Sequence, residues 1–374
     1  MTSLGIPDAV LARATQVARE IVERLDELGG RRIRVVAEEI LTGRAALLGL
    51  GAPGTVSAGG SSRLLAAADH WWALTLSRPD DVDAVPALLE LPDASTDPWP
   101  LLVAASPNRS AAELVARARL LGLPAALLGE AAATTPNILS DTDTAMTSIP
   151  GLLVVDLSSM WAGPLCGRLL AAAGATVVKV ESPRRPDGAR AGNRGFFDWM
   201  NSGKLSYAVD FDAPELAELI RSADVVIEGS RPAALARRGL DPGHMPKRPG
   251  RVWLRLSGYG TTQPDRVAFG DDAAVAGGLV RYHNGHPLFC GDAIADPLTG
   301  LEATRGVLDA LARGGGVVVE VAMAAVAATY AALPCDAIVA APLLAPAVPP
   351  HPAHDLGAEN DEVHRLVAAR RIAC

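Results

Sequence analysis

Residues 151–181 read GLLVVDLSSMWAGPLCGRLLAAAGATVVKVE, and the fold turns on them. LLVVDL is a short apolar, β-branched run ending on Asp156. SSMWAGP is rich in turn formers, LCGRLLAAAG has helical composition and stops at Gly174, and ATVVKVE returns to the pattern of a buried strand. The stretch predicts a βαβ unit. In such a unit the strand ends and the helix N-terminus form a crevice suited to ligands that carry phosphates.

A dinucleotide site at that crevice is disfavoured. Glu181 supplies the acid that ends the second strand, but in place of G-x-G-x-x-G the loop offers only Ala162, Gly163 and Pro164. Pro164 has no N–H for a phosphate, and Met160 and Trp161 put bulk where a pyrophosphate needs close approach of the backbone. The remaining readings are a different ligand or a plain α/β core unit.

Downstream the alternation continues. The Pro-, Gly- and Arg-rich run 181–204 has no regular period and is expected to cross the surface; Arg184, Arg185, Arg190, Arg194 and Lys204 make it either a phosphate-meeting loop or a solvated one. LSYAVDF reads as a strand, PELAELIRSA as a helix opened by Pro214, DVVIEG as a strand, RPAALARRGLDP as a short helix and RVWLRLSGYG as a further strand. In FCGDAIADPLTGLEATRGVLDALARGGG, Asp296 followed by Pro297 is an N-cap and first-turn signature for a helix reaching about Ala312. An Asp so placed is usually only a cap. The same placement suits a nucleophile, since the positive helix end holds a carboxylate ionised. Asp292 is the rival acid, and VVVEVAMAAV then passes from strand to helix.

Upstream, 7–48 is expected to hold two helices, one from Pro7 with Asp8 near its start, broken at Gly29 and Gly30, and one over Ile33–Leu48. GLGAPGTVSAGGSS, from Gly49, is a linker or a ligand loop. RLLAAADHWWALTLS reads as two strands about an Ala-Asp-His turn, with His70, Trp71 and Trp72 as packing residues, and RPDDVDAVPALLEL as a helix. SAAELVARARLLG is a helix with Ser110 and Glu113 in capping-box spacing. A short strand LPAALLG follows, and residues 131–150 lack periodicity and read as a linker.

Composition narrows the function. The 374 residues are 49% hydrophobic, enough for a sizeable core, and the net charge of −8 with a pI near 5.4 argues against nucleic-acid binding. Cys166, Cys290, Cys335 and Cys374 form no CxxC pair, and His283 with His286 and His351 with His354 lie in loops without a ligand set, so no metal site is expected. The cysteines read as reduced, mostly buried thiols. With no signal peptide and no apolar run long enough to span a bilayer, the expectation is a cytoplasmic protein without membrane contact.

Several blocks in order, VVDLSSMWAGPLCGRLLAAAGATVVKVESP, NSGKLSYAVDF, ADVVIEGSRPAALARRGLDP, LRLSGYG and GDAIADPLTG with VLDALARGGGVVVEVAM, resemble the class III CoA-transferase family over roughly Gly151–Ala328. That family includes carnitine, formyl-CoA and bile-acid CoA-transferases and the α-methylacyl-CoA racemases. The N-terminal block VSAGGSSRLLAAADHWWALTLSRPDDVDAVPALLE resembles material that usually follows the catalytic half, so the halves stand in rearranged order. HDLGAENDEVHRLVAA resembles the usual C-terminus.

The resemblance implies an α/β fold, a Rossmann-like parallel-sheet large domain with a smaller α/β domain. It divides the chain into an N-terminal helical segment (1–48), a small α/β segment (49–130), a linker (131–150), a CoA-binding and catalytic part (151–328) and a C-terminal tail (329–374). Homodimers interlocked like linked rings are implied. So is transfer of CoA from an acyl-CoA to a carboxylic acid, with coenzyme A and acyl-CoA as substrates and no permanently bound cofactor. Asp296 falls on the catalytic carboxylate, Met160 and Trp161 on the pantetheine loop, Val209 and Gly229 on positions lining the nucleotide, Arg237 on a phosphate-binding arginine, and Gly59 and Gly60 on the closing glycine loop. Ser182 stands where the family has an arginine, with Arg184 and Arg185 nearby, and Gly229 where it has an asparagine. The racemase histidine position falls on Asp271, which counts against proton exchange. The alternatives are an acyl-CoA racemase of this family and a catalytically inactive CoA-binding partner subunit.

Overall fold

The computed structural model describes residues 3–92, 97–134, 137–139, 147–229, 232–335 and 337–372. The βαβ unit at 151–181 forms as its sequence dictates: strand Leu153–Asp156, helix Ala162–Ala172 and strand Thr176–Glu181, with the two strands parallel. Four more strands join it: Leu205–Ala208, Val225–Glu228, Val252–Ser257 and Val317–Ala322. Counted in chain order, these six parallel strands lie side by side as 3-2-1-4-5-6. That is the doubly wound order, and its direction reverses between the first strand, Leu153–Asp156, and the fourth, Val225–Glu228. The sheet is buried on both faces, which is why its strands are continuous apolar runs rather than alternating ones. Asn137–Leu139, inside the stretch expected as linker, adds an antiparallel edge strand beside Val317–Ala322. Residues 135–136 and 140–146 of that stretch, and Cys374, lie outside the described residues.

On one face the helix Ala295–Ala312 packs against Ala162–Ala172 and against an N-terminal helix, Asp8–Glu27, that buries Val10, Ala14, Val17, Ala18, Ile21 and Leu25 at helical spacing. The approach of the first pair requires Gly300, where a Cβ would come 2.8 Å from the Ala162 carbonyl oxygen. Ahead of this helix, Ser3–Pro7 is a strand rather than a lead-in, paired antiparallel with Ile338–Pro342. The second N-terminal helix is shorter than its composition suggests, Ala37–Leu48 instead of Ile33–Leu48; it has an extended N-cap at Val36 and ends at Gly49 in the left-handed conformation.

The smaller unit is a three-stranded antiparallel sheet, Ser62–Ala66, Trp71–Thr75 and Ala125–Leu127, covered by short helices. Trp72 is fully buried there. The segment 78–91 breaks into two helices, Pro79–Asp83 and Val85–Leu89, because Pro86 lacks the N–H that one continuous helix needs. Helix Ala111–Leu120 does start after Ser110, but that hydroxyl does not cap it. Asp69 does so, accepting from the Ala111 N–H at 2.8 Å and from the Ser110 hydroxyl at 2.8 Å. The expected irregular run 181–204 also contains a helix, Arg194–Asn201, capped by the Asn193 side chain. Of the described cysteines Cys166 and Cys290 are buried and Cys335 is exposed.

Candidate active site

The strand reversal opens a cleft of about 1360 Å³ that runs from the carboxyl ends of the parallel strands to the smaller unit. Its inner end rests on buried charge. Lys204 and Asp156, both fully buried, pair at 2.8 Å, and Lys179 and Asp187 pair at 2.8 Å. Burial pushes the Asp156 carboxyl up, but Lys204 and Lys179 outweigh it and hold the group below its ordinary range. Asp156 accepts from the Ser158 N–H and hydroxyl, and Asp187 accepts from the Met160 N–H at 3.1 Å. The loop 157–161 is thus gripped from beneath. That grip sustains Met160 at φ +70°, a left-handed conformation unusual for a residue with a side chain.

Met160 is exposed on the cleft wall, whereas Trp161 is nearly buried, edge-to-face with Phe196 at 5.4 Å. Gly229, at the end of the fourth strand, faces the same loop, and a Cβ there would lie 2.6 Å from the Ser158 Cβ. Arg237 lines the cleft, is exposed and makes no ion pair among the described residues; the same holds for Arg185. The other basic residues of that region are occupied: Arg184 with Asp210 at 2.8 Å, Arg190 with Glu181 at 2.7 Å, Arg194 with Asp198 at 2.8 Å. Val209 does not line the cleft. It belongs with Tyr207, Leu216 and Leu219 to a core cluster separate from the one that holds helix Ala162–Ala172.

At the outer end stands Asp296. It is the second residue of helix Ala295–Ala312, not its N-cap, and its carboxylate does not cap that helix. Its Oδ2 instead accepts from the Gly270 N–H at 3.1 Å, at the start of helix Gly270–Ala276. Nor is the group held ionised by its helix. Burial pushes its pKa to about 7; Arg44 and the Gly270 N–H oppose this, and the charges of Asp271 and Asp292 reinforce it. The rival acid is distinguished by its surroundings. Asp292 is 1% exposed, does not line the cleft, and is bound through Oδ1 to Arg44, with burial raising it to about 6.

Gly59 and Gly60 belong to the turn 57–62, closed by the Gly60 N–H to the Ser57 carbonyl at 2.9 Å, with Gly60 at φ +81°. Gly59 lines the cleft and Gly60 does not. Ser62 at the end of this turn donates to Asp271 Oδ2 at 3.0 Å, which ties the glycine turn to the acidic end of the cleft. Asp272 is buried outright, accepting from the Phe269 N–H at 2.9 Å and the Thr75 hydroxyl at 3.1 Å, and burial raises it to about 7. Among the described residues no cluster of His, Cys, Asp and Glu is arranged to hold a metal ion, and no helix is long and apolar enough to cross a membrane.

Sequence reasoning missed Arg44. It projects from helix Ala37–Leu48 into the acidic end, with its guanidinium 5.7 Å from the Trp161 ring and 5.9 Å from the Phe196 ring. The signal was a lone charge in LTGRAALLGL, where buried small and apolar neighbours leave no solvated face to explain it.

The model of CoA-transferase family III matches residues 149–358, more than half of the chain, and the chain belongs to that family. Among curated proteins, it is 33% identical over 198 residues to an acyl-CoA transferase of Fusarium pseudograminearum, covering 46% of this chain and 43% of that protein. It is 31% identical over 186 residues to succinate–glutarate CoA-transferase of Agrobacterium fabrum, covering 44% and 46%. A crystal structure of a CaiB/BaiF family protein from Brucella suis aligns at 30% identity over 49% of this chain and 55% of that one, with a TM-score of 0.44. The matches span less than half the length of these two curated relatives.

Proposed function

We propose that this protein is a CoA-transferase that moves CoA from an acyl-CoA to a carboxylic acid, with Asp296 as the nucleophile. The observation that carries the reading is the position of Asp296: a half-buried carboxylate on the wall of a cleft that also holds the switch-point loop and the glycine turn. In the first step the carboxylate attacks the thioester carbonyl carbon and expels the CoA thiolate, leaving a mixed anhydride. The thiolate then attacks the Asp296 carbonyl, releasing the donor acid and leaving an aspartyl-CoA thioester. The acceptor carboxylate attacks this thioester, and the thiolate finally takes the acceptor acyl group and frees Asp296. Electron pairs and charge balance with no added reagent, and each difficult transfer is divided into easier ones.

A pKa near 7 suits this role, because the group is substantially ionised at neutral pH yet more basic, and so more nucleophilic, than an ordinary carboxylate. On this reading Met160, Trp161 and Gly229 border the bound CoA, with Val209 behind the strand end, and Arg237, joined by Arg185, meets its phosphates. Gly59 and Gly60 shield the anhydride from water. The interlocked homodimer and the cytoplasmic setting belong to the same proposal.

The test is intact-protein mass after incubation with a panel of acyl-CoAs, comparing the wild type with Asp296→Ala. An acyl or CoA mass gain confined to the wild type supports the reading. No gain with any donor, while CoA still binds, transfers the case to the racemase or to the inactive partner subunit.

A further inference from the structure

We propose that Arg44 anchors the free carboxylate of the acceptor acid beside Asp296, a role that rests on the transfer reading above. The electrostatic problem is plain. An acceptor acid must bring a carboxylate into an end of the cleft lined by Asp271 and Asp296, with Asp292 buried behind Arg44, and like charges there repel it unless a cation receives it.

The cations that line the cleft sort by their partners. Arg78 spends two donors on Asp81, Lys179 is buried against Asp187, Arg238 pairs with Asp212 and Arg266 with Glu130. Arg185 follows the second strand and Arg237 the fourth, which border the first strand on its two sides. Arg44 remains. Its Nη1 is committed to Asp292, while its Nε and Nη2 make no hydrogen bond among the described residues; a guanidinium has five donors in a fixed fork. Nη2 lies 3.4 Å from where a Cβ on Gly59 would stand, so the unused edge faces the glycine turn. Its side chain is 24% exposed, hence reachable, yet held between the buried Asp292 and the rings of Trp161 and Phe196. A cation fixed in orientation and partly desolvated binds a carboxylate far better than a flexible surface one.

The experiment titrates acetate, succinate and glutarate into the 374-residue chain saturated with CoA, by calorimetry. Because Arg44→Gln alone would leave Asp292 buried and unpaired, the principal variant is Arg44→Gln with Asp292→Asn, and Arg44→Lys serves as the partial replacement. CoA affinity, measured in parallel, reports that each variant is folded. The expected result is that at least one acid binds the wild type, about tenfold or more weakly the double variant, and with intermediate affinity Arg44→Lys. Equal affinity in wild type and double variant, or no binding of any of the three acids to wild type, overturns the anchor. The Asp296 mass adduct is read separately: Arg44-dependent acid binding without any adduct sinks the transfer reading and leaves Arg44 a carboxylate anchor with no acceptor role.

Discussion

The Gly270 amide and the Asp296 carboxylate meet at 3.1 Å with no room between them for a methyl group: a Cβ on residue 270 would lie 2.5 Å from Asp296 Oδ2 and 2.3 Å from the Ala293 carbonyl oxygen. Gly270→Ala is therefore expected to push Asp296 out of position. Adduct formation on Asp296 should fall at least about tenfold, with a stability loss of about 1–3 kcal/mol from overpacking. Mass labelling and urea melts check both, and an unchanged labelling rate would remove Gly270 from the positioning of the carboxylate.

The pH dependence of labelling follows from the ionisation of Asp296. Its carboxylate fraction rises with pH through about 7. Labelling is expected to gain about tenfold per pH unit below that point and to level off above it. Asp292→Asn removes a negative neighbour that helps to hold the pKa up, so its profile should shift toward lower pH. A rate independent of pH between 5 and 8 would contradict the assignment.

Stability has an opposite sense. The Asp272 carboxyl titrates near 7 in the folded protein and near 3.9 when unfolded, so between these values the folded state binds the extra proton. Its contribution is whole at low pH and is lost as pH rises from about 4 through about 7. Asp272→Asn removes the titration, and its melting temperature should change less between pH 5 and pH 7.5 than that of the wild type. Parallel curves would mean that Asp272 is already ionised in the native state at pH 5.

Beneath the switch-point loop, Lys204→Met leaves Asp156 buried with its nearest cation gone. A loss of about 3–5 kcal/mol is expected by urea denaturation. Asp156 also holds the Ser158 hydroxyl and N–H, so CoA affinity should weaken in the same variant even where it remains folded.

Gly229→Ala places a Cβ 2.6 Å from the Ser158 Cβ and must shift the loop that carries Met160 and Trp161. Weaker CoA binding is expected. Arg237→Ala is expected to weaken CoA about tenfold or less and to reduce the salt dependence of binding, as removal of a phosphate contact does. Binding equal to wild type at low salt would exclude Arg237 from the ligand.

The large sheet was legible because buried parallel strands are short apolar runs punctuated by turn residues, and 151–181 carries that pattern undiluted. The strand at Ser3–Pro7 was not, because its partner lies at Ile338–Pro342 and pairing at that distance leaves no local period. Asp296 was readable as a candidate from Asp-Pro at a helix start and from the family resemblance. Its electrostatics were not: the helix end argues for a low pKa, while burial and Asp271, brought in from another helix, win with the help of the neighbouring Asp292. Ser110 misled similarly, since a capping-box spacing cannot reveal that Asp69 takes the Ala111 N–H.

Arg44 and Asp292 are separated by 248 positions along the chain. The local βαβ units and the small antiparallel sheet bring neither to the other, and closing so long a loop pays its entropy before the contact repays it. A chain whose N-terminal helices have not docked would hold Asp292 without its counter-ion. Appearance of acid-binding capacity during refolding would therefore mark the completion of the whole molecule, later than the recovery of its helix signal.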